Sequence, residues 1–391
     1  MNNTIITTNR QCGNGGGEDF ATICNADSVV ENSTLLLPTM HRALRLGARR
    51  VVCLVAMLLA TMLLWSCNKG ETTQQQAADV PLIILDTDIG SSTDDLFAME
   101  MLYRYEQQGR CRLLGIVVDR MGEDCATCAD VMDTYFGRPD LPIGLERNGI
   151  ENPSVWIDYK ALPTYTTSDG KLMFERSVDD YAALPDGWRL YRQLLASQPD
   201  HSVSIVSTGF VTALAQLLQS EGDEFSPLGG VELVRSKVKC IYLMGGVFGT
   251  SVEPDYNFSQ GITFALDFFE LWPDDVDMVF SPQEVGENIE YVPDTVIADV
   301  SWTDIHPIKQ VYMTCYCNTG QMMWDPMAVI QAVEGDDLFT LSPRGIVTLT
   351  PQAETIFTPS VTGNCRYQLP GTTAWNAAML EKIRRYNRME H

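Results

Sequence analysis

The chain has 391 residues, 45% of them hydrophobic and 20% charged, with a formal net charge of -24 at pH 7. That composition belongs to a globular protein with a core large enough for one big domain or two ordinary ones. Its acidity leaves no electrostatic footprint for nucleic acid, which makes a small molecule the default partner.

Residues 1–39 are polar, carry the loose run Gly13, Gly15, Gly16, Gly17 and show no sustained periodicity. They read as a non-native or disordered extension, with translation expected to begin at Met40. From there Arg42, Arg45, Arg49 and Arg50 lead into a largely apolar run, residues 51–65, that ends in Leu64-Trp65-Ser66-Cys67. The run is shorter than the roughly 20 residues of a membrane span. A basic head, a short apolar stretch and a small residue before Cys make a secretory signal. Its end resembles a bacterial lipobox, although Trp65 stands where a small residue is usual. Residues 40–67 are therefore expected to be a lipoprotein-type signal with the lipid anchor on Cys67; the other reading is an uncleaved membrane anchor. Both put the rest of the chain outside the cytoplasm, held at a membrane. Residues 68–79 are a polar tether, and residues 80–391 the folded domain, with homo-oligomerisation left open.

Seven of the eleven cysteines fall in that domain: Cys111, Cys125, Cys128, Cys240, Cys315, Cys317 and Cys365. The odd number leaves at least one thiol free unless it pairs between chains. Cys125-x-x-Cys128 has no second pair and no nearby His to complete a zinc set, so buried structural cysteines are expected there.

The domain opens on an apolar run, residues 82–85, which reads as a strand buried on both faces. Asp86, Asp88, a turn at Gly90, then Asp94 and Asp95 follow, and after them apolar residues at helical spacing (Leu96, Phe97, Met99, Met101, Leu102, Tyr105). Four carboxylates on one strand-to-helix turn sit where open α/β sheets place their ligands. Such a density of like charge calls for a cation, and hard oxygen ligands suit Ca²⁺ or Mg²⁺. One of the set also serves as a helix cap by type.

Further along, a strand is predicted at residues 113–118, a helix at 125–136 and a short extended piece at 142–144. Residues 147–185 hold Pro153, Pro163, Gly170, Trp156, Tyr159 and Tyr165 without periodicity; a loop of that length is usually functional, and it reads as a flap over the site. A helix at 188–197, a strand at 203–206 ending in Ser207-Thr208-Gly209, a helix at 211–218, a strand at 241–244 ending in Gly245-Gly246 and a strand at 276–280 complete the alternation. Alternating β and α elements predict an α/β fold, a mostly parallel open sheet with helices on both faces. The small residues at the strand ends let backbone approach a ligand; each pair alone is equally a tight turn.

Two later stretches carry chemistry. Glu253-Pro254-Asp255-Tyr256-Asn257 offers carboxylate and amide groups suited to sugar hydroxyls, and is also a good turn. Trp324-Asp325-Pro326 precedes a helical run, where Asp325 alone reads as a cap with Pro after it.

Together these motifs resemble the inosine–uridine preferring nucleoside hydrolase family, calcium-dependent enzymes that cut the N-glycosidic bond of ribonucleosides. The family's D-x-D-x-G-x-D-D is similar to Asp86–Asp95 with two extra residues before the final pair. Its T-G matches Thr208-Gly209, its L-M-G-G Leu243-Met244-Gly245-Gly246, its E-F-N Asp255-Tyr256-Asn257, and its H-D-P Trp324-Asp325-Pro326. The resemblance covers residues 81 to near the end of the chain and implies a Rossmann-like fold. It implies that Asp88, Asp95, Asp325 and the Thr208 carbonyl hold Ca²⁺, with Asp88 as general base toward the attacking water. It assigns Asp94, Asp255 and Asn257 to the ribose and makes Trp324 a stacking platform, which suits purines. Three features depart from the family. Trp324 replaces a His proton donor. The Asn after the second strand has no clear counterpart, with Asp119 and Asp124 the nearest. The Asn near the glycine strand end falls at Gly249 or Thr250. Those losses motivate the alternative, a catalytically impaired ribose- or nucleoside-binding lipoprotein. A haloacid dehalogenase-type phosphatase fits worse, since Gly90 stands where that family wants Thr or Val and Asp94 and Asp95 go unused.

Overall fold

A computed structural model describes residues 80–390 apart from residues 152, 251 and 316–318. The expected signal, lipid-anchor Cys67 and tether lie outside the described residues. Within them no helix is long and apolar enough to cross a membrane.

The central sheet is built as the apolar runs dictate. The strands are β1 (Leu82–Thr87), β2 (Arg112–Val118), β3 (Ile143–Leu145), β4 (Val203–Ser207), β5 (Val238–Met244) and β6 (Asp277–Ser281). They pair in parallel in the order β3-β2-β1-β4-β5-β6. This is the doubly wound order, with its switch point between β1 and β4. Beyond β6 lie β11 (Cys365–Tyr367), still parallel, and then the antiparallel β9 (Gly345–Leu349) and β10 (Thr355–Pro359) at the edge. A separate two-stranded ribbon joins β7 (Glu290–Tyr291) to β8 (Gln321–Met322).

Side chains alternate along β1: Ile83 and Leu85 enter one apolar layer and Ile84 the other, all fully buried. Each such aliphatic contributes on the order of 2 kcal/mol through burial. Helix α1 (Asp94–Gln107) has its first twelve residues buried, and α2 (Glu123–Tyr135) packs beside it. Three further helices, α3 (Gly187–Ala196), α4 (Thr212–Gln219) and α5 (Gly230–Lys237), pack against one another. Two more follow, α6 (Tyr256–Gln260) and α7 (Ile262–Leu271), and then the short α8 (Gln283–Gly286). Late in the chain come α9 (Pro293–Asp299), α10 (Pro307–Thr314), α11 (Asp325–Glu334) and α12 (Thr373–Asn387). The mostly parallel sheet with flanking helices agrees with the sequence pattern.

Helix α4 begins at Thr212, one residue later than periodicity suggests. Val211 takes φ 59°, a left-handed conformation that a β-branched residue adopts only when its surroundings impose it. Asp119 supplies that constraint by accepting bonds from the Thr212 and Ala213 amides, both at 3.1 Å. The six described cysteines of the domain are free thiols, and all but Cys315 are buried.

Candidate active site

The carboxyl ends of β1, β4 and β5 border a cleft of about 230 Å³. Its lining brings together all eight residues singled out in the sequence: Asp88, Asp94, Asp95, Thr208, Asp255, Asn257, Trp324 and Asp325. Ser91, Ser92, Trp156, Met244, Tyr256 and Gln283 complete it, so no Lys or Arg is among the lining residues.

Asp88 follows the last residue of β1, and its carboxylate meets Arg120, with Nη2 3.0 Å from Oδ2. Gly90 then turns at φ 124°; a Cβ there would press on the Lys160 side chain and the Cys125 sulfur. Gly209 is small for a different reason than ligand access. A Cβ would lie 2.9 Å from the Asp88 nitrogen, so this glycine lets the ends of β4 and β1 close on each other.

Helices α1 and α11 pack side by side, and each starts with a carboxylate in its first turn. Their positive N-terminal ends favour negative charge there. This packing brings oxygens of Asp94, Asp95 and Asp325 within 4.8 Å of one another. Asp95 accepts a hydrogen bond from the Thr87 hydroxyl through Oδ1, while its buried Oδ2 has no hydrogen-bond partner. Asp94 is held by the Ser92 hydroxyl, by Gln321 Nε2 at 3.1 Å and by the Asp325 amide at 3.3 Å.

Burial pushes Asp94 up to about 6, against the opposing hydrogen bonds of Ser92 and Asp325. It raises Asp95 and Asp325 well above the usual carboxylate range, with neighbouring carboxylates adding to the shift. It raises Asp88 too, opposed by Arg120. An orphaned oxygen inside a buried carboxylate trio is the donor set of a hard divalent cation, so the residues fit a metal. Asp94, Asp95 and Asp325 form that trio. Asp88 lies in the same cleft with Oδ2 bonded to Arg120, and the Thr208 carbonyl accepts from Asn257 Nδ2 at 3.3 Å.

Asp255 is both a helix cap and a cleft residue. It caps α6, accepting from the Phe258 amide at 2.9 Å and the Gly246 amide at 2.8 Å, and it lines the cleft. Burial holds it near 6. Neither candidate for the missing Asn reaches the cleft: Asp119 is spent on the α4 N-terminus and Asp124 is exposed. Trp324 is half-buried, with Nε1 donating to the Gln283 carbonyl at 3.1 Å, which fixes the ring at the cleft wall.

Part of the long irregular segment crosses the acidic turn. The Trp156 amide donates to Ser91 Oγ at 2.9 Å and the Ile157 amide to the Ser91 carbonyl at 2.7 Å. Tyr159 Oη accepts from the Gly90 amide at 2.9 Å and donates to the Ser92 carbonyl at 3.0 Å. The two extra residues of the acidic turn thus dock this segment, and Trp156, 73% exposed, stands over the cleft.

Sequence reasoning missed Gln321 and Arg120 as site residues, and placed Trp156 only within the flap. Gln321 sits on the two-residue β8, which has no periodicity to detect. Arg120 lies two residues past β2, and its charge beside the D-x-D strand end was the available signal.

A pH dependence follows. Asp86, beneath the cleft, is pushed up from 3.8 to about 7 by burial, against the Tyr191 hydrogen bond. Asp86, Asp94 and Asp255 all titrate higher folded than unfolded, so the native state holds protons that the unfolded chain has released. Metal-free stability should therefore fall as pH rises from about 5 to about 7.5. Groups shifted downward, such as Asp223 at about 2 beside Arg192, lose their contribution only below the unfolded carboxylate range. Melting in chelator is expected several degrees lower at pH 7.5 than at pH 5.5, with a smaller drop in Asp86→Asn. A melting temperature that climbs over this interval would contradict the charge assignment.

No protein-family model and no curated protein sequence matches the chain. Solved structures do. An inosine–uridine preferring nucleoside hydrolase from Bacillus anthracis shares 16% identity at TM-score 0.58, over 79% of this chain and 100% of that one. A purine-preferring ribonucleoside hydrolase from Gardnerella vaginalis shares 16% at TM-score 0.56, over 79% and 99%. The type III effector XopQ, solved in complex with adenosine diphosphate ribose, shares 15% at TM-score 0.59, over 83% and 99%. At these identities the likeness establishes a common fold.

Proposed function

We propose that the protein is a ribonucleoside N-ribohydrolase, a divergent member of the nucleoside hydrolase family. The observation that carries this reading is the cleft lining: five carboxylates and two tryptophans with no basic residue among them. Such a lining suits an uncharged riboside, whose hydroxyls bond to carboxylates and whose base stacks on indole. It disfavours a free nucleotide, whose phosphates carry negative charge.

Ca²⁺ is the proposed cation, held by Asp95 and Asp325 with Asp94, Asp88 and the Thr208 carbonyl around them. A divalent cation bound there supplies positive charge and Lewis acidity toward oxygen. Asp88 accepts the proton of the attacking water. Asp94, Asp255 and Asn257 orient the ribose, and the carboxylate cluster stabilises the positive charge that develops at the anomeric carbon. Trp324, locked by its bond to the Gln283 carbonyl, stacks on the base and favours purines. The lipobox-like end of the apolar run supports an exported protein tethered to a membrane through Cys67.

A second reading is a ribose- or nucleoside-binding lipoprotein without turnover. It is favoured by Trp324, which stands in place of a proton-donating His and can stack on a base without protonating it.

Ribose release from inosine, adenosine, guanosine, uridine and cytidine, with calcium and with chelator, tests the proposal. Chelator-sensitive release is expected, fastest with purines. Trp324→Ala should cut purine turnover about tenfold more than pyrimidine turnover, a loss of stacking worth about 1 kcal/mol or more. Nucleoside binding without release would establish the second reading.

A further inference from the structure

Strand pairing places one basic side chain beside the acidic cluster. Thr87 of β1 faces Val118 of β2, and the Asp119 amide donates to the Thr87 carbonyl at 2.8 Å. Arg120 therefore arrives next to Asp88. It is only 3% exposed, and it grips Asp88 twice, Nε donating to the main-chain carbonyl at 2.9 Å and Nη2 lying 3.0 Å from Oδ2. Its guanidinium carbon rests 5.0 Å from the centroid of the fully buried Phe210 ring. Among the described residues, Asp88 is the one carboxylate of the five lining the cleft that has a basic partner.

We propose that Arg120 is a positioning residue and a tethered cation of the carboxylate cluster. It fixes Asp88 whether or not a metal is bound, and it bears part of the positive charge that the cluster requires. The inference rests on the metal reading above and adds a direction to it. A guanidinium pinned to the same cluster repels a divalent cation, so metal binds more weakly than it would to these carboxylates alone. The carboxylate trio Asp94, Asp95 and Asp325 then carries most of the metal affinity, and Asp88 is left oriented for its proton.

Calorimetric calcium titration of the full-length protein, stripped with chelator, tests this in the wild type, Arg120→Gln, Arg120→Met and Arg120→Lys. Arg120→Gln keeps hydrogen-bond donors without the charge, so it covers the case in which Arg120→Met does not fold. Loss of the charge is expected to tighten the calcium Kd by about tenfold or more, while Arg120→Lys stays within about threefold of the wild type. An arginine that only held Asp88 in place, with no repulsion of the metal, would give unchanged or weaker binding when its charge is removed. Unchanged or weaker affinity in Arg120→Gln, with calcium bound normally by the wild type, overturns the proposal alone. Absence of calcium binding in both the wild type and Arg120→Gln overturns the metal reading along with it.

Discussion

Asp95→Asn is expected to lower calcium affinity by more than about 100-fold while leaving the fold intact. Loss of a group that only orients a metal ligand already costs about 10- to 100-fold, and Asp95 offers the ion an oxygen directly. Its Oδ2 is buried and unpartnered, whereas Oδ1 is engaged by the Thr87 hydroxyl. Asparagine keeps the shape and can keep the Thr87 contact, but it removes one negative charge from a site crowded by Asp88, Asp94 and Asp325. In chelator the variant should thus melt several degrees above the wild type, and calcium should no longer raise its melting temperature. Calorimetric titration and paired melts measure both effects. Wild-type calcium affinity in the variant would remove Asp95 from the metal site.

The second large effect is expected at Asp88. Asp88→Asn removes the proton acceptor, and a positioned general base is worth about 10²- to 10⁴-fold in rate. The loss should fall on kcat, with KM for the nucleoside changed by less than about threefold, because the ribose contacts assigned to Asp94, Asp255 and Asn257 remain. The amide oxygen can still take the Arg120 Nη2 hydrogen bond, and the Nε bond goes to the main-chain carbonyl, so the side chain stays in place. Steady-state kinetics with inosine separate the two constants. A rise in KM with kcat preserved would make Asp88 a binding group and move the base elsewhere.

Much of this site was legible in the sequence because its chemistry sits at the ends of strongly patterned elements. The unbroken apolar run of β1 predicts a doubly buried strand, and the residues after it are forced to the sheet's carboxyl edge. Thr208 after β4 and Asp325 at the head of α11 follow the same logic. Legibility failed where contact depends on partners far apart in the chain. Asp119 looked like a stand-in for a missing amide, yet its carboxylate is consumed by the start of α4, 93 residues onward. Gln321 reaches Asp94 across 227 residues from a ribbon too short to show a period. The strands β9, β10 and β11 pass unnoticed because they are short and half-exposed, without the continuous apolar character of the parallel core.

The docking of residues 156–159 on Gly90, Ser91 and Ser92 ties the mouth of the cleft to the placement of its carboxylates. Five hydrogen bonds span the two segments, and four of them use main-chain atoms of the turn that carries Asp88 into Asp94 and Asp95. Swinging Trp156 away from the cleft by moving its backbone breaks that set and frees the turn, loosening the carboxylates at the moment the mouth widens. Ligand traffic that leaves the carboxylates in place must therefore keep this seam closed and run past the Trp156 side chain, which is 73% exposed.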